Sequence, residues 1–227
     1  MASERKTCMG MVVAAVTAVA LAGCTTFTPT AAVSRLSLPA DRTETVAQKH
    51  FVTNWLVLGP FRFQEDDFGG DQQQPAADEA FVPREGCLDG TQQAPEGTAW
   101  AEEQFEAADP TRRGQVNLDR LYKRIDHAAA YAVCWLYSPD GLHDAKLLVG
   151  SDDYVKVWIN GKLVHTYKEQ RRAAHADQDT VEGITLKKGY NRIVVKCVDV
   201  VLSWDFYLRL TDADGRPVAV TPEPAAE

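Results

Sequence analysis

The chain has 227 residues, of which 24 are Lys or Arg and 32 are Asp or Glu, so its formal net charge at pH 7 is -8. An acidic surface opposes binding to nucleic acids and to anionic lipid head groups, because both are polyanions. Nucleic acid is therefore excluded as a partner. The length suits one domain with a sizeable core once a leader and linkers are set aside.

The first residues predict an export signal that ends on a lipidated cysteine. Arg5 and Lys6 form a short basic start, and residues 9–21 carry no charge. That run is shorter than the ~20 apolar residues of a membrane span. Leu21-Ala22-Gly23-Cys24 resembles the bacterial lipobox, which implies cleavage before Cys24 and acylation of its thiol and amine. The alternative is an ordinary secretory signal that happens to carry a cysteine.

This resemblance implies a compartment as well as an anchor. Two or three acyl chains on Cys24 hold a protein firmly in a lipid bilayer, since each buried methylene contributes about 0.8 kcal/mol. Thr25 follows the cysteine, where an aspartate would resemble an inner-membrane retention signal, so we expect the outer membrane of a Gram-negative bacterium. Loss of residues 1–23 removes Glu4, Arg5 and Lys6, leaving 22 basic and 31 acidic residues and a charge of -9.

Composition divides the rest of the chain into linkers and one folded part. Segments rich in Thr, Ala, Ser and Pro are typical of flexible linkers. The predicted divisions are a lipoprotein signal peptide at 1–23, a lipid anchor and flexible tether at 24–50, a β-sandwich domain at 51–212 with a long insertion near 62–113, and a Pro/Ala-rich tail at 213–227.

Short runs rich in Val, Ile, Trp and Tyr recur between turn signals in the folded part. Their number and brevity predict an all-β fold, an antiparallel β-sandwich. The predicted strands are Val52–Leu58, Ala128–Tyr137, Ala145–Val149, Tyr154–Ile159, Leu163–Tyr167, Gly183–Leu186, Asn191–Val198 and Trp204–Leu210.

One β-hairpin is predicted with particular detail. In Val155–Ile159 apolar residues alternate with Lys156 and Trp158, so one face is expected to join the core and the other to face outward. Asn160-Gly161 follows, a dipeptide suited to a two-residue turn with positive φ at both positions, and Lys162–Tyr167 returns.

The insertion near 62–113 has many acidic residues and prolines but few apolar ones. A long irregular segment of this kind is typical of a functional loop or a disordered insertion. We expect an excursion packed by Phe81 and Trp100. Regular structure is expected to resume over Val116–Tyr122, as a short helical turn or an edge strand.

Three cysteines remain after the anchor, in an exported compartment that permits disulfides. Because three is odd, at least one of Cys87, Cys134 and Cys197 stays free. Cys134 and Cys197 lie in strand-like runs, where a small thiol fills core space. A Cys134–Cys197 disulfide is the alternative.

Much of the folded part resembles the galactose-binding-like jelly-roll modules that accompany bacterial glycoside hydrolases and sugar esterases and that also stand alone in lipoproteins. The resemblance implies a β-sandwich that often binds carbohydrate, and the chain departs from the pattern in carrying no enzymatic domain. The matching segments are Trp55–Phe61, Gly114–Leu118, Ala130–Ala132, Val149–Gly161, Asp177–Asp179, Leu186–Asn191, Val194–Lys196 and Trp204–Phe206.

Asp152 and Asp153 are candidate ligands for calcium or acceptors for sugar hydroxyls. Neighbours in an extended chain point to opposite faces, so this pair is not predicted to flank a glycosidic bond. The alternative is that one Asp caps the turn and the other is solvated. Asp177 and Asp179 alternate, which would point both carboxylates to one side and suit a hard cation such as calcium.

Arg171 and Arg172 are candidates for binding a carboxylate of a uronic acid or of peptidoglycan, because arginine forks bind carboxylates bidentately. The alternative is a solvated loop closed by Arg–Asp pairs. Trp158 and Trp204 are candidates for stacking on a sugar ring, and the alternative is that both belong to the core.

No catalytic residue is predicted. The sequence has no Gly-x-Ser-x-Gly elbow, no His-Glu-x-x-His, no phosphate-binding glycine-rich loop and no CxxC pair. We therefore predict a lipid-anchored, non-catalytic module that binds carbohydrate at the cell envelope, with no cofactor apart from a structural calcium ion. The first alternative is a structural envelope protein that contacts other proteins, and the second is a hydrolase.

Overall fold

The computed structural model describes residues 29–37, 50–69, 73–107 and 109–222. Cys24 and the predicted signal peptide lie outside this range. Within it, no helix has the length and apolar character needed to cross a membrane. The helices are α1 (Pro75–Asp78) and α2 (Leu118–Tyr122), and the strands are β1 (Val33–Ser37), β2 (Asn54–Arg62), β3 (Ala99–Gln104), β4 (Val116–Asn117), β5 (Ala128–Ser138), β6 (Leu142–Asp152), β7 (Tyr154–Ile159), β8 (Lys162–Tyr167), β9 (Asp179–Leu186), β10 (Gly189–Asp199), β11 (Asp205–Thr211) and β12 (Ala219–Pro222).

The strands form two facing sheets. The larger sheet has the order β12-β1-β5-β10-β7-β8, with β2 paired to both β5 and β3, and the smaller sheet has the order β4-β11-β6-β9. All pairings are antiparallel except that of β1 with β5. The all-β, antiparallel β-sandwich predicted from the sequence is thereby confirmed.

The main core fills the space between the sheets. Trp55 of β2 is fully buried there, and its ring meets that of Phe206 of β11 edge to face with centroids 5.3 Å apart. Cys134 and Cys197 belong to this core and are free thiols, which confirms that they fill core space without forming a disulfide. Cys87 is also free and half-buried.

The predicted hairpin is present as β7 and β8. Its two turn residues, Asn160 and Gly161, have φ angles of 51° and 85°, as a turn with positive φ at both positions requires. The start of regular structure over Val116–Tyr122 is also confirmed, as β4 and α2.

The segment 63–115 is here called the excursion. Within it, β3 extends the larger sheet as a regular strand beside β2, which the predicted irregular insertion near 62–113 did not include. Other described residues of the excursion cover the outer face of the larger sheet, among them Phe63, Ala76, Ala77, Val82 and Leu88. Phe81 and Trp100 of the excursion pack against a second apolar cluster, as predicted. This cluster includes Trp158, whose side chain is only 8% exposed. The prediction that Trp158 faces solvent is wrong, because the excursion covers the face that strand alternation assigned to the exterior.

Two short strands lie where the sequence predicts linkers. β1 falls within the predicted tether at 24–50, and β12 falls within the predicted tail at 213–227. They pair with each other, and Val33–Arg35 of β1 pairs with Trp135–Tyr137 of β5. The composition of these two segments does not predict the strands, because the strands form by hydrogen bonding to segments that are distant in the sequence. The folded domain therefore extends beyond 51–212 at both ends.

Candidate metal and ligand site

Three aspartates meet where the chain passes from one sheet to the other. β6 ends at Asp152, Asp153 follows, and β7 begins in the opposite sheet, while β10 ends beside this corner at Asp199. One carboxylate oxygen from each of the three residues lies within 4.8 Å of the other two. We call these three residues the aspartate triad. The prediction that Asp152 and Asp153 point to opposite faces is wrong, because Asp153 lies at a corner rather than in an extended strand.

The triad is buried, and its members differ in their hydrogen bonds. Asp153 accepts from the backbone N–H groups of Val200, at 2.9 Å, and of Arg172, at 3.2 Å. Asp199 is 1% exposed, and neither of its carboxylate oxygens has a hydrogen-bond partner among the described residues. A buried carboxylate without a partner is costly, because it has lost its hydration and gained nothing in return. Asp199 therefore requires a counterion or a proton.

Electrostatics leads to the same requirement. Burial, reinforced by neighbouring carboxylates, raises the pKa of Asp152 to about 8 and that of Asp199 to about 9. Burial also raises the pKa of Asp153. Three carboxylates this close cannot all ionise unless a cation joins them. Calcium takes six to eight oxygen ligands, including carboxylates, so this donor set fits it.

The loop at 168–178 packs against this corner through Arg172. The Arg172 guanidinium lies 3.4 Å from the centre of the Tyr167 ring, donates to the backbone oxygen of Ser151 and pairs with Asp179. Its charge and donors are thus used inside the protein, as in the alternative of a loop closed by Arg–Asp pairs. The charge of Arg171 partly offsets the burial that raises the pKa of Asp153, so the Arg171 guanidinium acts on the triad.

Asp177 and Asp179 do not form the predicted cation site. Asp177 accepts two hydrogen bonds from Arg209, at 2.7 and 2.9 Å, and Asp179 pairs with Arg172 and His165. Each carboxylate already has cationic or imidazole partners within the protein. Asp177 thus links the loop at 168–178 to β11, and Asp179 links Arg172 of this loop to β9.

Trp204 is fully buried and belongs to the main core. Its ring stacks on that of Tyr122 with centroids 5.3 Å apart, and its Nε1 donates to the backbone oxygen of Cys197. A stacking platform needs an exposed ring. Neither Trp204 nor Trp158 has one, so the alternative that both are core residues is the one that the structure supports.

A pocket of 330 Å³ opens beside the triad. Asp152 contributes to its wall, together with Asp205 at the start of β11, and these two residues are cross-strand neighbours. Asp205 is 5% exposed, and its Oδ1 has no hydrogen-bond partner among the described residues. Burial raises the pKa of Asp205 to about 6. Tyr207 and His175 also line this pocket.

Asp199 and Asp205 were not among the residues singled out from the sequence. The sequence does carry a signal for Asp199. It directly follows the predicted strand Asn191–Val198, and Asp152 likewise lies shortly after the predicted strand Ala145–Val149. Polar residues at the ends of several apolar strands gather at one edge of a sandwich, although spacing alone does not show which ends coincide.

No family model matches the chain, and no curated protein matches it. Among solved structures it is similar to the PA14 domain of the MpAFP antifreeze protein, with 20% identity and a TM-score of 0.35 over 41% of this chain and 48% of that chain. It is similar to a β-glucosidase from Kluyveromyces marxianus in complex with glucose, with 13% identity and a TM-score of 0.39 over 70% of this chain and 16% of that chain. It is also similar to a β-glucuronidase from an uncultured Clostridium sp., with 9% identity and a TM-score of 0.36 over 82% of this chain and 31% of that chain. The chain thus spans less than half the length of each of these proteins.

Proposed function

We propose that this protein is an exported, lipid-anchored and non-catalytic module that binds carbohydrate through a calcium ion held by the aspartate triad. The observation that carries the proposal is Asp199, a fully buried carboxylate without a hydrogen-bond partner among the described residues, within 4.8 Å of Asp152 and Asp153. A divalent cation satisfies all three groups at once.

The pocket beside the triad supports a polyhydroxylated ligand. Because Asp152 belongs both to the triad and to the pocket wall, a cation held by the triad borders the pocket. Sugar hydroxyls can ligate a hard cation through oxygen and donate hydrogen bonds to a carboxylate such as Asp205.

Spacing argues against a hydrolase. Glycosidases hold their two catalytic carboxyl groups about 5 to 9.5 Å apart, so that the scissile bond, and in many of them a water molecule, fits between them. The ligand atoms of the triad lie within 4.8 Å of one another, at the short end of that range, and all three residues are buried together at one corner. The triad thus suits a shared cation better than an acid and base on either side of a substrate.

The alternative of a protein-binding envelope component has less support. A docking surface for a protein normally shows an exposed apolar patch of several hundred Å². Among the described residues, the large apolar side chains that are well exposed are Leu163 and Leu202. They lie on different segments of the chain.

The lipid anchor is tested separately from the site. We expect the full chain expressed in a Gram-negative host to incorporate labelled palmitate and to sediment with outer membranes. The Cys24→Ala variant should do neither. Palmitate labelling that persists in Cys24→Ala, or native protein recovered wholly as a soluble form, would contradict the anchor.

The cation site is tested with the full chain in detergent, after treatment with chelator. Calcium at about 100 times its dissociation constant should stabilise the native protein by about 2.7 kcal/mol, measured as a shift in thermal unfolding. Asp199→Asn should abolish this shift. The matched control is Asp140→Asn, the same change at an exposed aspartate in the turn between β5 and β6, which should retain it.

Folding does not confound this test, because burial raises the pKa of Asp199 to about 9, so in chelator at neutral pH the carboxyl group is already protonated. Asp199→Asn replaces it by a neutral amide of the same shape and should have about the stability of the native chain. The same proteins are then screened on a glycan array with calcium and with chelator. Calcium-dependent binding by the native and Asp140→Asn proteins, but not by Asp199→Asn, is the expected result. Absence of any calcium effect on unfolding would overturn the proposal, and turnover of a bound oligosaccharide would replace it with a hydrolase.

A further inference from the structure

The pocket beside the triad continues into a second pocket of 190 Å³. Arg112, Ser203 and Asp205 line both, so the two form one groove along the end of the sandwich. Arg120 and Arg124 line the second pocket. Guanidinium groups are thus concentrated at one groove of a chain whose formal net charge is -8.

The arginines of this groove differ from others in the protein. Arg172, Arg209 and Arg216 each form an ion pair with an aspartate at 2.5 to 2.7 Å. By contrast, the three groove arginines are exposed, and none forms an ion pair within 4.0 Å with a carboxylate of the described residues. These three are Arg112, Arg120 and Arg124.

Asp205 connects the arginines to the cation site. It lines both pockets, its neighbour across the sheet is Asp152, and its buried Oδ1 has no hydrogen-bond partner in the described part of the chain. A ligand in the groove therefore meets guanidinium donors, an acceptor carboxylate and the border of the triad. Arg124 and Arg112 act electrostatically on Asp119 and Asp205, which also line the groove, but they form no ion pair with them within 4.0 Å. A neutral sugar would leave these guanidinium groups without a charged partner at hydrogen-bond distance.

We infer that the groove selects an acidic saccharide, a chain that contains uronic acid residues. This rests on the proposed function, because the hydroxyls of the same sugar are taken to reach the cation and Asp205. The sugar carboxylate pairs with the guanidinium of Arg112, which presents parallel N–H donors that match the two carboxylate oxygens. Arg120 and Arg124 accommodate the carboxylate of a neighbouring residue along the chain.

The test uses the full chain in detergent with calcium and short oligomers of galacturonate, glucuronate and mannuronate. Each oligomer is paired with its methyl ester, which keeps the stereochemistry and removes the charge. We expect at least one free acid to bind at least tenfold more tightly than its ester in isothermal titration calorimetry. Arg112→Gln should reduce that preference to about twofold or less.

A matched control is Arg84→Gln. Arg84 is an exposed arginine of the excursion, two residues before Gly86. Gly86 lies against Trp158 and accepts a hydrogen bond from Arg192, away from the groove. Arg84→Gln should leave the preference unchanged. All variants should retain the calcium shift in thermal unfolding, since none changes the triad. Methyl esters or neutral oligomers that bind as well as the acids, or an Arg112→Gln protein that keeps the preference, would overturn this inference while leaving calcium-dependent binding intact. Loss of the calcium shift in the native protein would instead overturn the proposed function.

Discussion

Gly150 of β6 lies directly beneath the backbone of His175. A Cβ atom placed on Gly150 would come within 1.8 Å of the His175 carbonyl oxygen. Real Cβ atoms do not approach backbone oxygen so closely, so any other residue at this position would force the 168–178 loop away from the sheet. The loop carries Arg172, whose backbone N–H bonds to Asp153 of the triad.

Gly150→Ala should therefore weaken calcium binding as well as stability. Displacement of the loop removes the Arg172 contact from Asp153, and forcing a methyl group into a packed site costs about 1–3 kcal/mol. We expect a fall of about 2 kcal/mol in the free energy of unfolding and a weaker calcium response in titration calorimetry.

The control for this substitution is Leu147→Ala, a cavity-forming change in the main core on the same strand. It should cost about 2–5 kcal/mol without touching the loop, and should leave calcium affinity unchanged. Equal calcium affinity in the native and Gly150→Ala proteins would show that the loop does not order the triad.

The triad gives the protein a definite response to pH. In chelator, folding raises the pKa of Asp152 to about 8 and of Asp199 to about 9, whereas an unfolded aspartate has a pKa of about 3.9. The native state therefore binds more protons than the unfolded state between these values. The resulting stability is fully present below about pH 4 and is lost as the pH rises towards 9.

Calcium should reverse this dependence, because the ion takes the place of the protons. We expect the melting temperature in chelator to fall from pH 5.5 to pH 8.5, and calcium affinity to rise with pH over the same interval, by up to about tenfold per pH unit for each proton displaced. Thermal unfolding and calorimetry at several pH values measure both effects. Asp199→Asn should show a flatter profile in chelator, and a calcium affinity that is independent of pH would contradict the exchange of protons for the ion.

The fold was accessible from local sequence, since strand alternation and the Asn160-Gly161 turn depend on neighbouring residues. The burial of Trp158 was not, because it depends on the excursion folding back over the sheet from about 70 residues away. The triad illustrates the same limit. Asp152 and Asp153 stood out as a pair, but their third member, Asp199, joins them only through the pairing of β10 with β7 and the corner between the sheets.

The three described cysteines should react in a fixed order. Burial raises the pKa of the Cys134 and Cys197 thiols, so the reactive thiolate is suppressed as well as shielded. Cys87 is half-buried. Among these three, we expect maleimide to modify only Cys87 in native protein and all three in denatured protein without reductant, as mapped by mass spectrometry. Denatured protein that leaves Cys134 and Cys197 unmodified would reveal a disulfide between them.

Lys196 fastens the excursion to the larger sheet. Its side chain is fully buried, and its Nζ donates to the backbone oxygens of Ala76, at 3.1 Å, of Ala77, at 3.0 Å, and of Glu79, with the Glu85 carboxylate 3.4 Å away. Burial lowers the pKa of Lys196 to about 8, so the group still carries its charge at neutral pH. A single ammonium thus satisfies several carbonyl groups that would otherwise be buried without a donor.

Lys196→Met keeps the shape of the stem and removes the donors and the charge. We expect it to lower the free energy of unfolding by about 3 kcal/mol, because carbonyl oxygens and the Glu85 carboxylate lose their partner inside the protein. Limited proteolysis should cut the excursion before the sheets. The control is Lys156→Met, at the paired position on β7. Its largely buried side chain pairs at 2.9 Å with Asp78, a half-exposed carboxylate that keeps Lys168 as a second partner, so the loss should be at most about 1 kcal/mol. Equal losses for the two variants, or proteolysis that begins in the sheets, would show that the excursion is held by its apolar contacts with Trp158 and its neighbours and not by the buried ammonium.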